Sequence, residues 1–111
     1  MSRVYVLAAD KPLTGMETLS YYRQAVEELG YPMKSFRYEF TPEKANEDWK
    51  NLRGCLEKNF SQGESLELWS VWVGDVNKKC PPRYQGRLAD FDMEALEQFL
   101  SAEEICFDIT I

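Results

Sequence analysis

At 111 residues the chain amounts to one globular domain, residues 1–111, and is long enough to bury a core without metal or disulfide support. Hydrophobic residues at 44% and aromatics at 14% exclude a disordered chain. A net charge of −6 and a pI of about 4.7 argue against general nucleic-acid binding, because an acidic surface repels phosphate backbones, and favour a basic protein partner.

The first expected element is a strand over Arg3–Ala9, apolar at nearly every position. After a loop with Pro12 and Gly15, the spacing of Leu19, Tyr22, Val26 and Leu29 predicts a helix over Met16–Leu29. Thr14 with Glu17 forms a capping-box pattern before it, and Gly30 supplies a stop signal. The second strand, Ser35–Thr41, alternates: Phe36, Tyr38 and Phe40 face one side, Arg37 and Glu39 the other. Thr41-Pro42-Glu43 opens a second helix to Phe60, with Ala45, Trp49, Leu52, Leu56 and Phe60 as its apolar stripe. Leu66–Asp75, LELWSVWVGD, is the third strand, in which Trp69 and Trp72 point to opposite faces and pack into opposite layers. An irregular segment is expected over Gly74–Asp90. A third helix starts near Asp92 as N-cap, with Phe91 and Leu96 as a hydrophobic staple. The last strand, Glu104–Ile111, directs Ile105, Phe107, Ile109 and Ile111 inward and Glu104, Asp108 and Thr110 outward.

This βαβαβαβ order predicts an α/β domain with a four-stranded, mainly parallel sheet in the order 2-1-3-4 and three helices on its two faces. The two strands apolar on both sides, the first and third, take the centre. The alternative resembles the ferredoxin-like α+β fold: an antiparallel sheet, order 4-1-3-2, with the Pro42–Phe60 helix inserted between strands two and three. The alternation of strands two and four favours that alternative.

Chemistry-bearing motifs are sparse. The chain has no histidine, which excludes histidine-based triads and HExxH metal sites, and no glycine-rich phosphate loop. Acidic neighbours such as Glu27-Glu28 and Glu103-Glu104 point apart and form no convergent acid–base pair. Cys55, Cys80 and Cys106 are an odd number without C-x-x-C spacing, so neither zinc nor a disulfide framework is expected. With no apolar stretch long enough for a membrane span and too short an apolar start for a signal peptide, the expectation is a cytoplasmic protein with reduced thiols. The sequon Asn59-Phe60-Ser61 is then a chance match. Cys55 and Cys106 read as small packing residues.

One segment departs from the acidic background. Val76–Arg87, VNKKCPPRYQGR, holds Lys78, Lys79, Arg83 and Arg87 and no acid. Pro81-Pro82 stiffens it, and Tyr84 offers an amphipathic contact. It reads either as a clamp for an anion or acidic partner, or as a solvated loop paired with the protein's own acids. Asp10 and Lys11 join the candidate binding set because a parallel sheet would bring the first loop beside Gly74–Arg87 at the strands' carboxyl ends. Cys80, beside Lys79, would be the most reactive thiol, but no base partner accompanies it.

The expected function is a non-enzymatic binding protein without cofactor or metal, a protein–protein interaction module similar in general character to small acidic inhibitors and immunity proteins. The alternative is a binder of small anions, phosphate or carboxylate, through residues 76–87. A homodimer is compatible with either reading.

Overall fold

A computed structural model describes residues 2–15, 22–24, 33–40, 45–73, 81–101 and 104–111. Its strands are β1 (Ser2–Ala9), β2 (Tyr22–Gln24), β3 (Phe36–Phe40), β4 (Ser65–Val73), β5 (Arg83–Arg87) and β6 (Ile105–Thr110), and its helices α1 (Ala45–Asn59) and α2 (Met93–Ser101). They form one mixed sheet in the order β2-β3-β1-β4-β6-β5: five strands of at least five residues, extended at one edge by the three-residue β2.

The expected four-stranded parallel sheet with three helices is thereby corrected to an α+β domain with two helices among the described residues. β1 runs antiparallel to both neighbours, β3 and β4, and β4 runs antiparallel to β6. Among the described strands the single parallel pair is β5 with β6. Two segments change type. Tyr22–Gln24, expected inside a helix, pairs with β3 through Tyr22 opposite Phe40 and Gln24 opposite Tyr38. The rest of that expected helix, its capping box and Gly30 lie outside the described residues, apart from Thr14. Arg83–Arg87, expected as irregular loop, is a strand. The expected cap at Thr41–Glu43 also lies outside the described residues.

The doubly apolar central strands reflect burial on both sides, a pattern that strand direction does not control. Tyr5, Leu7 and Ala9 of β1 and Leu66 and Leu68 of β4 face both helices, packing with Leu52, Cys55 and Leu56 of α1 and Phe99 of α2. The opposite face is also buried: Val6, Ala8 and Val71 are fully covered and Trp69 is 1% exposed. The expectation that Trp69 is core therefore holds, while the Trp72 and Trp49 side chains lie outside those described. Each large apolar side chain buried this way contributes about 1.5–3 kcal/mol.

Local signals explain the ends of the elements. The Asp92 Oδ1 accepts a hydrogen bond from Ala95 N at 3.0 Å, the expected N-cap of α2. β5 and β6 are parallel neighbours, which requires a crossover connection, and the 3₁₀ turn Leu88–Asp90 with α2 provides it. At the end of α1, the Asn59 Nδ2 donates to Cys55 O and to Thr14 O, both at 2.7 Å, while its Oδ1 accepts from Thr14 N at 2.8 Å. One amide thus ties the helix end to the loop after β1.

Candidate functional site

The antiparallel β1–β4 pair separates the two loops that a parallel sheet would have joined. Val73, at the end of β4, lies opposite Ser2, while Asp10 follows the other end of β1. Asp10 and Val73 therefore lie at opposite ends of the β1–β4 pair, and the side-by-side placement that a parallel sheet would give them is corrected.

Asp10 and Lys11 are instead engaged locally. The Lys34 Nζ contacts Asp10 Oδ2 at 2.6 Å, and Lys11 Nζ contacts Glu64 Oε1 at 2.8 Å while lying 5.1 Å from the Phe60 ring centre. The hydrogen bond from Lys11, with a second from Ser61 N, holds the Glu64 carboxyl below its usual range. Lys78, Lys79 and Cys80 lie outside the described residues.

Arg83 is the centre of a charge network on the sheet face opposite α1 and α2. Its Nε and Nη2 donate to the two oxygens of Asp108 at 3.0 and 2.6 Å, and Nη2 also reaches Glu67 Oε2 at 3.0 Å. The guanidinium lies 5.2 Å from the Trp69 ring centre. Glu67, 6% exposed, additionally accepts from Lys34 N at 2.9 Å and Trp69 Nε1 at 3.2 Å. The bond to Asp108, then that to Glu67, pushes the Arg83 pKa up against an opposing effect of burial. The network is a brace tying β5 to β6 and β4, because its buried carboxylate is already fully provided with donors.

Beneath it, burial pushes the Cys106 thiol up to about 12, outweighing the opposite pull of the Arg83 cation. Cys55 is also buried, donating from Sγ to Thr14 O at 3.3 Å, and neither thiol forms a disulfide among the described residues. Burial and the raised pKa keep the Cys106 thiol protonated at neutral pH. No group of three or more acids or cysteines able to hold a metal occurs among the described residues.

Tyr84 and Arg87 remain available. Tyr84 is 52% exposed, with its ring centre 5.7 Å from that of Phe107. Arg87 shares the Arg83 face by strand alternation and has no side-chain hydrogen bond or ion pair among the described residues. It lines an open recess of about 290 Å³ with Gln62, Leu88, Thr110 and Ile111. All five residues of β5 are exposed. The candidate site is therefore an exposed sheet edge carrying Tyr84, Gln85 and Arg87, braced from behind by Arg83.

Sequence reasoning missed Glu67, Asp108 and Gln85. Glu67 did leave a signal, a lone charge between Leu66 and Leu68 in an otherwise apolar central strand, which requires a partner when buried. No family model matches the chain, and neither curated proteins nor solved structures yield a match.

Proposed function

We propose that this chain is a non-enzymatic protein-binding module of inhibitor-like character whose partner engages the β5 edge. The observation that carries the reading is that every residue of β5 is exposed in a sheet whose central strands are buried on both faces. A half-exposed tyrosine and an exposed arginine, one on each face of the edge strand, are residue types enriched at interface hot spots. The reading is tested by capture from the source cell's lysate with the parent chain and with Tyr84→Ser/Arg87→Glu. A stoichiometric protein retained by the parent and lost by the variant, at unchanged melting temperature, supports it. Equal retention by both chains rules out this edge as the interface.

The recess beside Arg87 favours a second reading, a small carboxylate or phosphate held by the guanidinium against Leu88 and Ile111. In that case acetate or phosphate raises the melting temperature of the parent and leaves that of Arg87→Gln unchanged.

A further inference from the structure

We propose that the outer edge of β5 is a strand-addition site that takes an extended acidic segment of the partner protein. The inference rests on the protein-binding reading above and specifies its geometry and partner chemistry.

Backbone direction comes first. Cys106 N donates to Pro82 O at 2.9 Å, so the peptide groups of Pro82, Tyr84 and Gly86 turn toward β6. Alternation then turns the N–H and C=O groups of Arg83, Gln85 and Arg87 outward. Among the described residues β5 ends the sheet order, and the outward backbone groups of Arg83 and Gln85 and the Arg87 N–H have no hydrogen-bond partner, while the Arg87 C=O caps the 3₁₀ turn that follows. The edge is a row of donors and acceptors ready for another strand.

Natural edges are blocked by bulges, prolines or covering segments. The β5–β6 register runs without interruption from Arg83 opposite Cys106 to Arg87 opposite Thr110, so no bulge is present. Its prolines, Pro81 and Pro82, precede the strand and stiffen its entry, which lowers the entropy cost of presenting a fixed edge. A side chain at Gly86 would meet nothing within 4 Å, so a partner's side chain has room beside Tyr84.

The side chains select the occupant. Arg83 and Arg87 lie on one face of β5 and Tyr84 on the other, so an added strand sets alternate residues on the side where Arg87 is available, Arg83 being held by Asp108 and Glu67, and the intervening ones against an aromatic ring. Acidic residues suit the first set and apolar residues the second. The chain's overall charge of −6 does not oppose an acidic residue at Arg87, because that guanidinium has no ion pair among the described residues and acts at contact distance, inside a Debye length of about 8 Å. A second copy of this chain is a poor occupant. Antiparallel self-pairing centred on Gln85 sets Arg83 opposite the partner copy's position 87 at both ends, a like-charge pairing.

The test is an NMR titration with a short blocked peptide alternating glutamate and valine. Saturable shifts centred on the amides of Arg83, Gln85 and Arg87 are expected. The same peptide with lysine for glutamate should bind about tenfold more weakly or worse, the equivalent of one charge-assisted contact. N-methylation of its alternate amides should abolish binding, since it blocks the ladder while leaving the charges. Gln85→Pro removes an outward N–H and no bond to β6, so it should lose the peptide at unchanged melting temperature. Equal affinity for the lysine peptide overturns the acidic specificity. Undiminished binding of the N-methylated peptide, or absent shifts at millimolar concentration, overturns strand addition even should Gln85→Pro fail to fold. A captured partner that ignores Gln85→Pro but is lost from Tyr84→Ser/Arg87→Glu would leave the binding-module reading standing without this geometry.

Discussion

Arg83 on β5 grips both carboxylate oxygens of Asp108 on the neighbouring parallel strand, at 3.0 and 2.6 Å, and the same Nη2 reaches past it to Glu67 on β4. Three strands are thereby linked by one side chain. The linkage explains how β5, with every residue exposed and little apolar surface to bury, stays attached to the sheet. Backbone pairing with β6 supplies the geometry, and the arginine supplies a fixed anchor at the strand's first residue.

Arg83→Met is therefore expected to destabilise the fold by about 1–3 kcal/mol, because it leaves the buried Glu67 short of its cation. Asp108→Asn, at a more exposed carboxylate, should cost under about 1 kcal/mol. Chemical denaturation of the single variants and of Arg83→Met/Glu67→Gln measures the coupling, with the double variant less damaged than the sum of the singles. Additive or negligible effects would remove the brace. Of the two sequence readings of the basic segment, internal pairing thus describes Arg83, while Arg87 retains the exposure a binding role needs.

Trp69→Ala should cost about 3–5 kcal/mol, the penalty for truncating a fully buried aromatic, since the residue is 1% exposed between Val6, Val71 and Cys106. Trp69→Phe keeps most of the volume but deletes the Nε1–Glu67 hydrogen bond, and about 1–2 kcal/mol is expected from that loss and the smaller ring. A shift in urea midpoint at constant slope distinguishes both from a change in the denatured state.

Much of the buried architecture was legible because burial leaves periodicity in the sequence. The inward Ile105 and Ile109, the cap at Asp92 and the core position of Trp69 follow from alternation and capping chemistry. Strand direction left no comparable trace. Val4, Val6 and Val71 are apolar because their face of the sheet is covered, and coverage is equally available to antiparallel strands. Arg83–Arg87 was illegible as a strand for the complementary reason: with all five side chains exposed, no apolar rhythm marks it. The partners of Arg83 lie 16 and 25 residues away, and only the fold brings them together. The candidate site was therefore visible as a basic segment with a tyrosine, and its edge geometry was not.

The Cys106 thiol makes an alkaline prediction. Its pKa rises from an ordinary 9.0 to about 12 in the folded protein because burial disfavours the thiolate. The neutral thiol's contribution is complete below the unfolded value and is lost as pH rises through the folded one, so stability should decline between pH 9 and about 12. In Cys106→Ala that decline should be shallower. Native protein at neutral pH should leave Cys106 unmodified by a thiol reagent that labels it fully in denaturant. Rapid native labelling of Cys106 would contradict its burial.

The last prediction concerns the amide that joins α1 to the loop after β1. Asn59 donates to Cys55 O and Thr14 O and accepts from Thr14 N, so it satisfies backbone groups on both segments at once. Asn59→Ala leaves all three without that partner. Part of the loss is recovered by water because the Thr14 side is exposed, which places the expected cost near ~1 kcal/mol, toward the lower end for a lost hydrogen-bonding side chain. Asn59→Asp keeps the acceptor for Thr14 N but sets a carboxylate against two carbonyls at a helix C-terminus, where the dipole also opposes negative charge. It should therefore be as damaging as alanine or worse, although it is the closer match in shape. The damage is local: amide exchange should quicken at Thr14 and Gly15 while the protected core of β1, at Val6 and Leu7, keeps its rate once corrected for the global change. The same contacts commit the Asn59 Nδ2, so native protein should resist modification of this sequon asparagine. If Asn59→Asp proves neutral and loop exchange stays unchanged, the amide tie does not hold the loop, and Lys11–Glu64 with the buried Leu13 must do so instead.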